Sequence, residues 1–218
     1  MNLSIEDILR ISFLIPISLF FILKRNERKE KLVLFLFPLC SFIHAIVYAI
    51  LLLKTSEKIA FLFNALFIPI EFLTVSLFFF KSIAYDFHKK SLRIIFIIFL
   101  LIFSFETYRN PAEQFDSLTN AIESTFFILY ALIFFYENIK YPKNLFIYKH
   151  PYFWGAAAFF LFYAITFFAF IYRQTSWYNK EFFYQYVYIH AFAGIIRNIL
   201  LGVGMIAKPE KAGIAELT

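Results

Sequence analysis

The chain has 218 residues, 61% of them hydrophobic, with 21 Lys and Arg against 15 Asp and Glu and a net charge of +6. An ordinary soluble domain is roughly half apolar, so this composition, with a mean hydropathy of +0.71, excludes a water-soluble globule and puts side chains in lipid. The basic balance then reports topology and contact with anionic membrane lipid, not a nucleic-acid partner.

A membrane span requires about 20 apolar residues, or fewer where flanking cations snorkel. In chain order the apolar stretches cover residues 8–23, 32–53, 59–80, 92–105, 118–136, 152–172 and 182–207. The first and fourth are short, and Arg10, Lys24 and Arg93 are placed to rescue them by snorkelling. Glu6 and Asp7 precede the first stretch in place of a basic leader, so no cleavable signal is expected. Connectors 24–31, 81–93, 140–150 and the tail carry fourteen Lys and Arg, whereas the opposite side carries six. The positive-inside rule therefore predicts an N-terminus outside and a C-terminus in the cytoplasm. The expected architecture is all-α: one polytopic domain over residues 1–218, a seven-transmembrane-helix bundle in the cell inner membrane.

Connectors are short, and the longer ones, 81–91 and 106–117, include an Asn110-Pro111 turn signal. None is long enough to fold as a catalytic or output domain, so action through a partner is expected. Cys40 is the single cysteine, which excludes an intramolecular disulfide and fits a small apolar filler. Among 34 Phe and 14 Tyr, runs such as Phe78-Phe79-Phe80 face lipid or pack the bundle. Tyr141, Tyr152, Trp154, Tyr172, Trp177 and Tyr178 fall near span ends, where amphipathic rings favour the interface. Pro151 opens the sixth span, and Pro69 should kink the third. His88 and His150 belong to basic connectors and are expected to be solvated.

Polar groups inside the spans carry any chemistry, because charge in hydrocarbon is costly and turns inward to find partners. Asn64 and Glu71 are seven residues apart, on one helical face. Asn120, Glu123, Phe127, Tyr130, Phe134 and Glu137 make one stripe on the fifth span. Tyr186, His190, Gly194 and Arg197 make another on the seventh, with Asn198 beside it; Ser41, His44 and Tyr48 repeat the pattern on the second. At 1.5 Å per residue, Glu71 is about 18 Å and Arg197 about 21 Å from the outer span ends; Glu123, His190 and His44 are about 8, 12 and 14 Å deep. Two polar layers are expected. The deeper pairs Glu71 with Arg197, either as an ion pair fixing helix register or as an anion site using Arg197. The shallower gathers Glu123, His190 and His44, with Asn64 and Asn120 at its mouth. It suits interhelical hydrogen bonding, a ligand pocket or a proton-sensitive site. Zinc spacing such as H-x-x-x-H is absent, so no metal or cofactor is expected, and no residue is assigned as catalytic.

Asn64 through Phe72 resembles the Asn-x-x-x-x-x-x-Glu-Phe pattern in helix three of an uncharacterised seven-helix family common in Bacteroidota. Phe115 to Tyr136 is similar to that family's helix five. Pro151-Tyr152-Phe153-Trp154-Gly155, Phe162-Tyr163 and Phe167-Phe168 resemble its helix six, and Ile196-Arg197-Asn198-Ile199-Leu200 its helix seven. Members are often encoded near sensor histidine kinases, so the resemblance implies a sensory or regulatory role with such a kinase or another membrane partner. The last span contains no lysine for a retinal Schiff base. Ser41-x-x-His44 and His190 resemble the ceramidase and adiponectin-receptor group, but Gly194 stands where that group has a second histidine. The expected function is a sensory or regulatory membrane protein that binds a small or lipidic ligand. The alternatives are an intramembrane lipid-modifying enzyme, and a proton-linked transporter or membrane-complex subunit.

Overall fold

In lipid a backbone must satisfy its own N–H and C=O groups, and a helix does so within one segment. The computed structural model describes residues 4–109, 116–142, 146–176 and 180–208, and every regular element among them is helical. In order these are α1 (Ile5–Ser12), α2 (Leu14–Ile22), α3 (Arg25–Lys54), α4 (Glu57–Ser82), α5 (Asp86–Arg109), α6 (Asp116–Lys140), a 3₁₀ turn at Ile147–Lys149, α7 (Pro151–Ser176) and α8 (Lys180–Ile206). The Asn110-Pro111 turn, Trp177, Tyr178, the Tyr172 side chain and the tail beyond Lys208 lie outside the described residues.

Among the described residues six helical segments are long and apolar enough to cross a membrane: Lys31–Lys54, Lys58–Ser82, Asp86–Arg109, Leu118–Lys140, Pro151–Ile171 and Glu181–Ile206. The protein is therefore a multi-pass membrane protein in contact with lipid. The stretch expected to be short at 92–105 is a helix of 24 residues, because the polar residues on either side of it stay helical. Lys89 and Arg93 rest over the Phe80 ring at 5.7 and 5.0 Å from its centroid.

The first apolar stretch is not one regular helix. Ser4 caps α1 in a capping box with Asp7, and the helix is interrupted after Ser12. Pro16 lacks the N–H that would bond the Ser12 carbonyl, and its ring crowds that carbonyl. Phe13 keeps right-handed helical angles (φ −61°, ψ −26°), so the chain runs on into α2.

The helices form a ring in which α7 packs along α6 and α8, α3 along α4, and α1 and α2 against α8. Helix α5 packs on α4 and α6 at the periphery. Two contacts explain the close approach of α8 to the N-terminal helices. A Cβ on Gly194 would lie 2.6 Å from Leu9, and one on Gly202 2.8 Å from Ile15. Between them Asn198 Nδ2 donates to Ser12 Oγ at 2.7 Å. Positions 194, 198 and 202 are four apart, so they form one stripe on which α1 and α2 seat, as small residues permit between membrane helices. Gly155 serves α7 likewise: its Cβ would meet Leu34 at 2.5 Å and the Phe78 ring at 2.6 Å.

Aromatic rings fill the core. Phe72 stacks on Phe99 and Phe127 at 3.7 and 4.9 Å between centroids, and Phe78 and Phe79 are fully buried. Of the alternatives for the Phe78-Phe79-Phe80 run, packing is the one realised. At the basic end, Lys31 Nζ donates to the carbonyls of Met205 and Ala207, at 2.5 and 2.8 Å, capping the last turn of α8. Lys208 and Glu27 approach to 3.4 Å beside it.

Candidate functional site

Polar residues from α3, α4, α6, α7 and α8 meet around one cavity of about 310 Å³. Tyr48, Asn120 and Tyr186 stand about two turns or fewer from the helix ends opposite the basic connectors. From there the cavity extends inward to Glu71, near the middle of α4, and Arg197, beyond the middle of α8. Leu9 and Phe13 close one side, so the N-terminal helices belong to its wall.

Seven of the nine residues singled out from the sequence line this space: His44, Asn64, Glu71, Asn120, Glu123, His190 and Arg197. Two do not. Tyr130 is buried one helix face away, and its hydroxyl donates to the Leu92 carbonyl at 3.1 Å, tying α6 to α5. Asn198 faces Ser12 in the α1–α8 seam. The two expected layers are one continuous cavity, because the Glu71, Glu123, His44 and His190 side chains all face the same space.

Arg197 is buried, and three rings surround its guanidinium carbon: Phe162 at 4.0 Å, Phe37 at 4.5 Å and Phe13 at 5.6 Å from their centroids. The quadrupoles of these rings stabilise the cation where water is scarce. The expected contact ion pair with Glu71 is not formed within 4.0 Å among the described residues. Glu71 instead accepts a hydrogen bond from Tyr163 Oη at 2.7 Å. Glu71 and Arg197 thus line the same cavity without forming a contact ion pair. Tyr163 carries a role that helical spacing did not indicate; the available signal was a tyrosine in the middle of the sixth span, three residues before Thr166 and away from the interfacial Tyr152 and Tyr172.

Glu123 is 3% exposed, lines the cavity together with Glu71, and its Oε1 has no hydrogen-bond partner among the described residues. The same holds for His44 Nε2 and Arg197 Nε. His44 stacks on Phe67 at 4.0 Å and 12°. His190 stacks on Tyr186 at 6.0 Å and meets Phe162 and Phe170 edge-on. Acidic, basic and aromatic groups therefore line one cavity. Among the described residues no three His, Cys, Asp or Glu side chains are arranged to hold a metal.

Glu137 continues the α6 stripe but belongs to the other end of the bundle. Its carboxylate accepts from the backbone N–H of Ala84 at 2.9 Å and of Tyr85 at 3.3 Å, and it contacts His88 Nδ1. His88, expected to be solvated, is largely buried in this clasp at the start of α5.

No protein-family model matches the chain, and neither a curated protein nor a solved structure is significantly similar to it.

Proposed function

We propose that this chain is a sensory or regulatory protein of the inner membrane that binds a small or lipidic ligand in the cavity and acts through a membrane partner. The observation that carries the reading is that three residues lining the cavity hold buried polar atoms, Glu123 Oε1, His44 Nε2 and Arg197 Nε, each without a partner among the described residues. Leaving such a group unsatisfied costs on the order of 1–3 kcal/mol, and a bound molecule that pairs with it removes the penalty. About 310 Å³ is the lower end of the volume range of small-molecule sites.

In this reading α1 and α2 together make a seventh crossing, supported by their seat on α8 deep in the bundle. Seven crossings and the excess of basic connector residues put the N-terminus outside, the cavity towards the outer side and the basic end in the cytoplasm. The sequence resemblance to the Bacteroidota seven-helix family supports a sensor kinase as the partner, docked on the basic end.

The test is mass spectrometry of protein purified gently from its native membrane. We expect a stoichiometric small molecule or lipid, lost from His44→Ala and Glu123→Gln variants that still elute as folded protein. Empty protein carrying a stoichiometric second polypeptide would overturn the ligand reading and place function at the partner interface. The proximity of Glu71 and Glu123 favours one rival, proton-linked transport. Uptake driven by a proton gradient in vesicles, abolished by Glu71→Gln, would establish it instead.

A further inference from the structure

We propose that the cavity selects an organic monocation, specifically a protonated amine on an apolar or aromatic body. This rests on the ligand reading above and adds the chemical class of the ligand. The cavity presents two carboxyl groups, Glu71 and Glu123, and one guanidinium, Arg197. Arg197 has three rings about its charge, and its Nε–H has no acceptor among the described residues. Glu71 has the Tyr163 hydroxyl. Glu123 has neither: it is buried, its Oε1 is unpartnered among the described residues, and the other carboxyl group lining the cavity is Glu71. Buried beside a second acid, Glu123 needs a positive neighbour in order to ionise, and a bound cation would supply it.

The rest of the lining agrees. An anion drawn to Arg197 would enter a space already holding two acids, and would find the guanidinium surrounded by Phe13, Phe37 and Phe162. A cation beside Glu123 shares the cavity with the rings of Phe67, Tyr163 and Tyr186, whose faces attract positive charge. Glu123 Oε1 accepts hydrogen bonds when ionised, so the ligand needs an N–H to give. A primary or secondary ammonium supplies both charge and donor, whereas a quaternary ammonium supplies only charge.

The experiment uses the full chain in lipid nanodiscs and three matched series of arylalkyl probes of rising size. The ammonium series begins with 2-phenylethylammonium, the alcohol series with 2-phenylethanol and the carboxylate series with 3-phenylpropionate. Binding is read by calorimetry and by the shift in unfolding temperature. At least one ammonium is expected to bind tenfold or more tightly than its matched alcohol, with its carboxylate weaker still. Glu123→Gln should erase that preference, and Glu137→Gln, which alters the clasp at the other end, should leave it intact. If Glu123→Gln fails to fold, the wild-type comparison of ammonium with alcohol decides alone. Binding confined to the carboxylate or alcohol series overturns the cation assignment and leaves the ligand reading standing. Binding by no member of any series, at millimolar concentration, overturns both.

Discussion

Tyr163 and Glu71 define the most specific polar contact in the membrane-embedded half of the cavity. Tyr163→Phe deletes the donor while keeping the ring, so it should lower stability by about 1–3 kcal/mol, the cost of stranding a buried acceptor. Unfolding in mixed micelles checks the size. A cycle with Glu71→Gln should show coupling between the two, whereas additive effects would mean that the hydrogen bond contributes nothing. Lys31 makes a comparable contact at the other end, where its ammonium reaches two α8 carbonyls. Lys31→Met keeps the stem and loses the cap. We expect faster amide exchange confined to the last turn of α8, measured by deuterium uptake. Neither contact is legible in the sequence, but part of the cavity lining is. Helical spacing put Asn64 with Glu71 and His190 with Arg197, and all four reach the cavity. Spacing did not reveal that Arg197 is matched by rings, because a phenyl group that binds a cation and one that packs a core look the same in a sequence. Nor did it reveal that Tyr130 and Asn198 turn aside. A stripe on one helix spans about 100° or more of its circumference and meets more than one neighbour.

Among the helices, the α8 stripe of Gly194, Asn198 and Gly202 does most to decide where the N-terminal segment goes. Gly202→Leu would place a branched side chain where Ile15 now lies and should push α2 away. The readout is a disulfide between Ser12→Cys and Asn198→Cys in a Cys40→Ala background, followed by peptide mass spectrometry. The bond should form in that background and fail when Gly202→Leu is added; its persistence would show that the seam tolerates bulk. Hydropathy identified this segment as one short span but missed its division into α1 and α2. Pro16 acts on a carbonyl four residues earlier, and hydropathy windows do not register missing hydrogen bonds. The opposite error occurred at α5, where counting apolar residues ended the helix too early. Its terminal turns are polar yet helical, because Glu137 satisfies the N–H groups of Ala84 and Tyr85 just before it.

For the whole molecule, the number of crossings fixes which face each terminus occupies. Single cysteines introduced in connectors 24–31 and 81–93, in the Cys40→Ala background, should be labelled by an impermeant maleimide only after cells are opened. A cysteine at Lys54 should be labelled on intact cells. The reverse pattern would mean that the bundle is inverted, and the cavity would then open to the cytoplasm; a cysteine at Glu6 that is labelled on intact cells would show that α1 and α2 cross. The charge bias gives the sequence's expectation for orientation, which the labelling tests. Neighbour relations were not legible there, because any of many ring orders satisfies the same seven hydropathy peaks.

Helix α5 contributes no side chain to the cavity, although α4 before it and α6 after it both do. Helices α4 and α6 pack on each other and run in the same direction, and short connectors cannot join two parallel membrane helices without a third that travels back. Helix α5 is that return path, the membrane counterpart of the crossover that links parallel strands in a sheet. Its sequence answers to the bilayer and to its two neighbours, and not to whatever the cavity holds. In a saturation mutagenesis scan, the outward residues of α5, such as Ile94, Ile97 and Leu101, should exchange freely among apolar types, while α8 stays intolerant along its length.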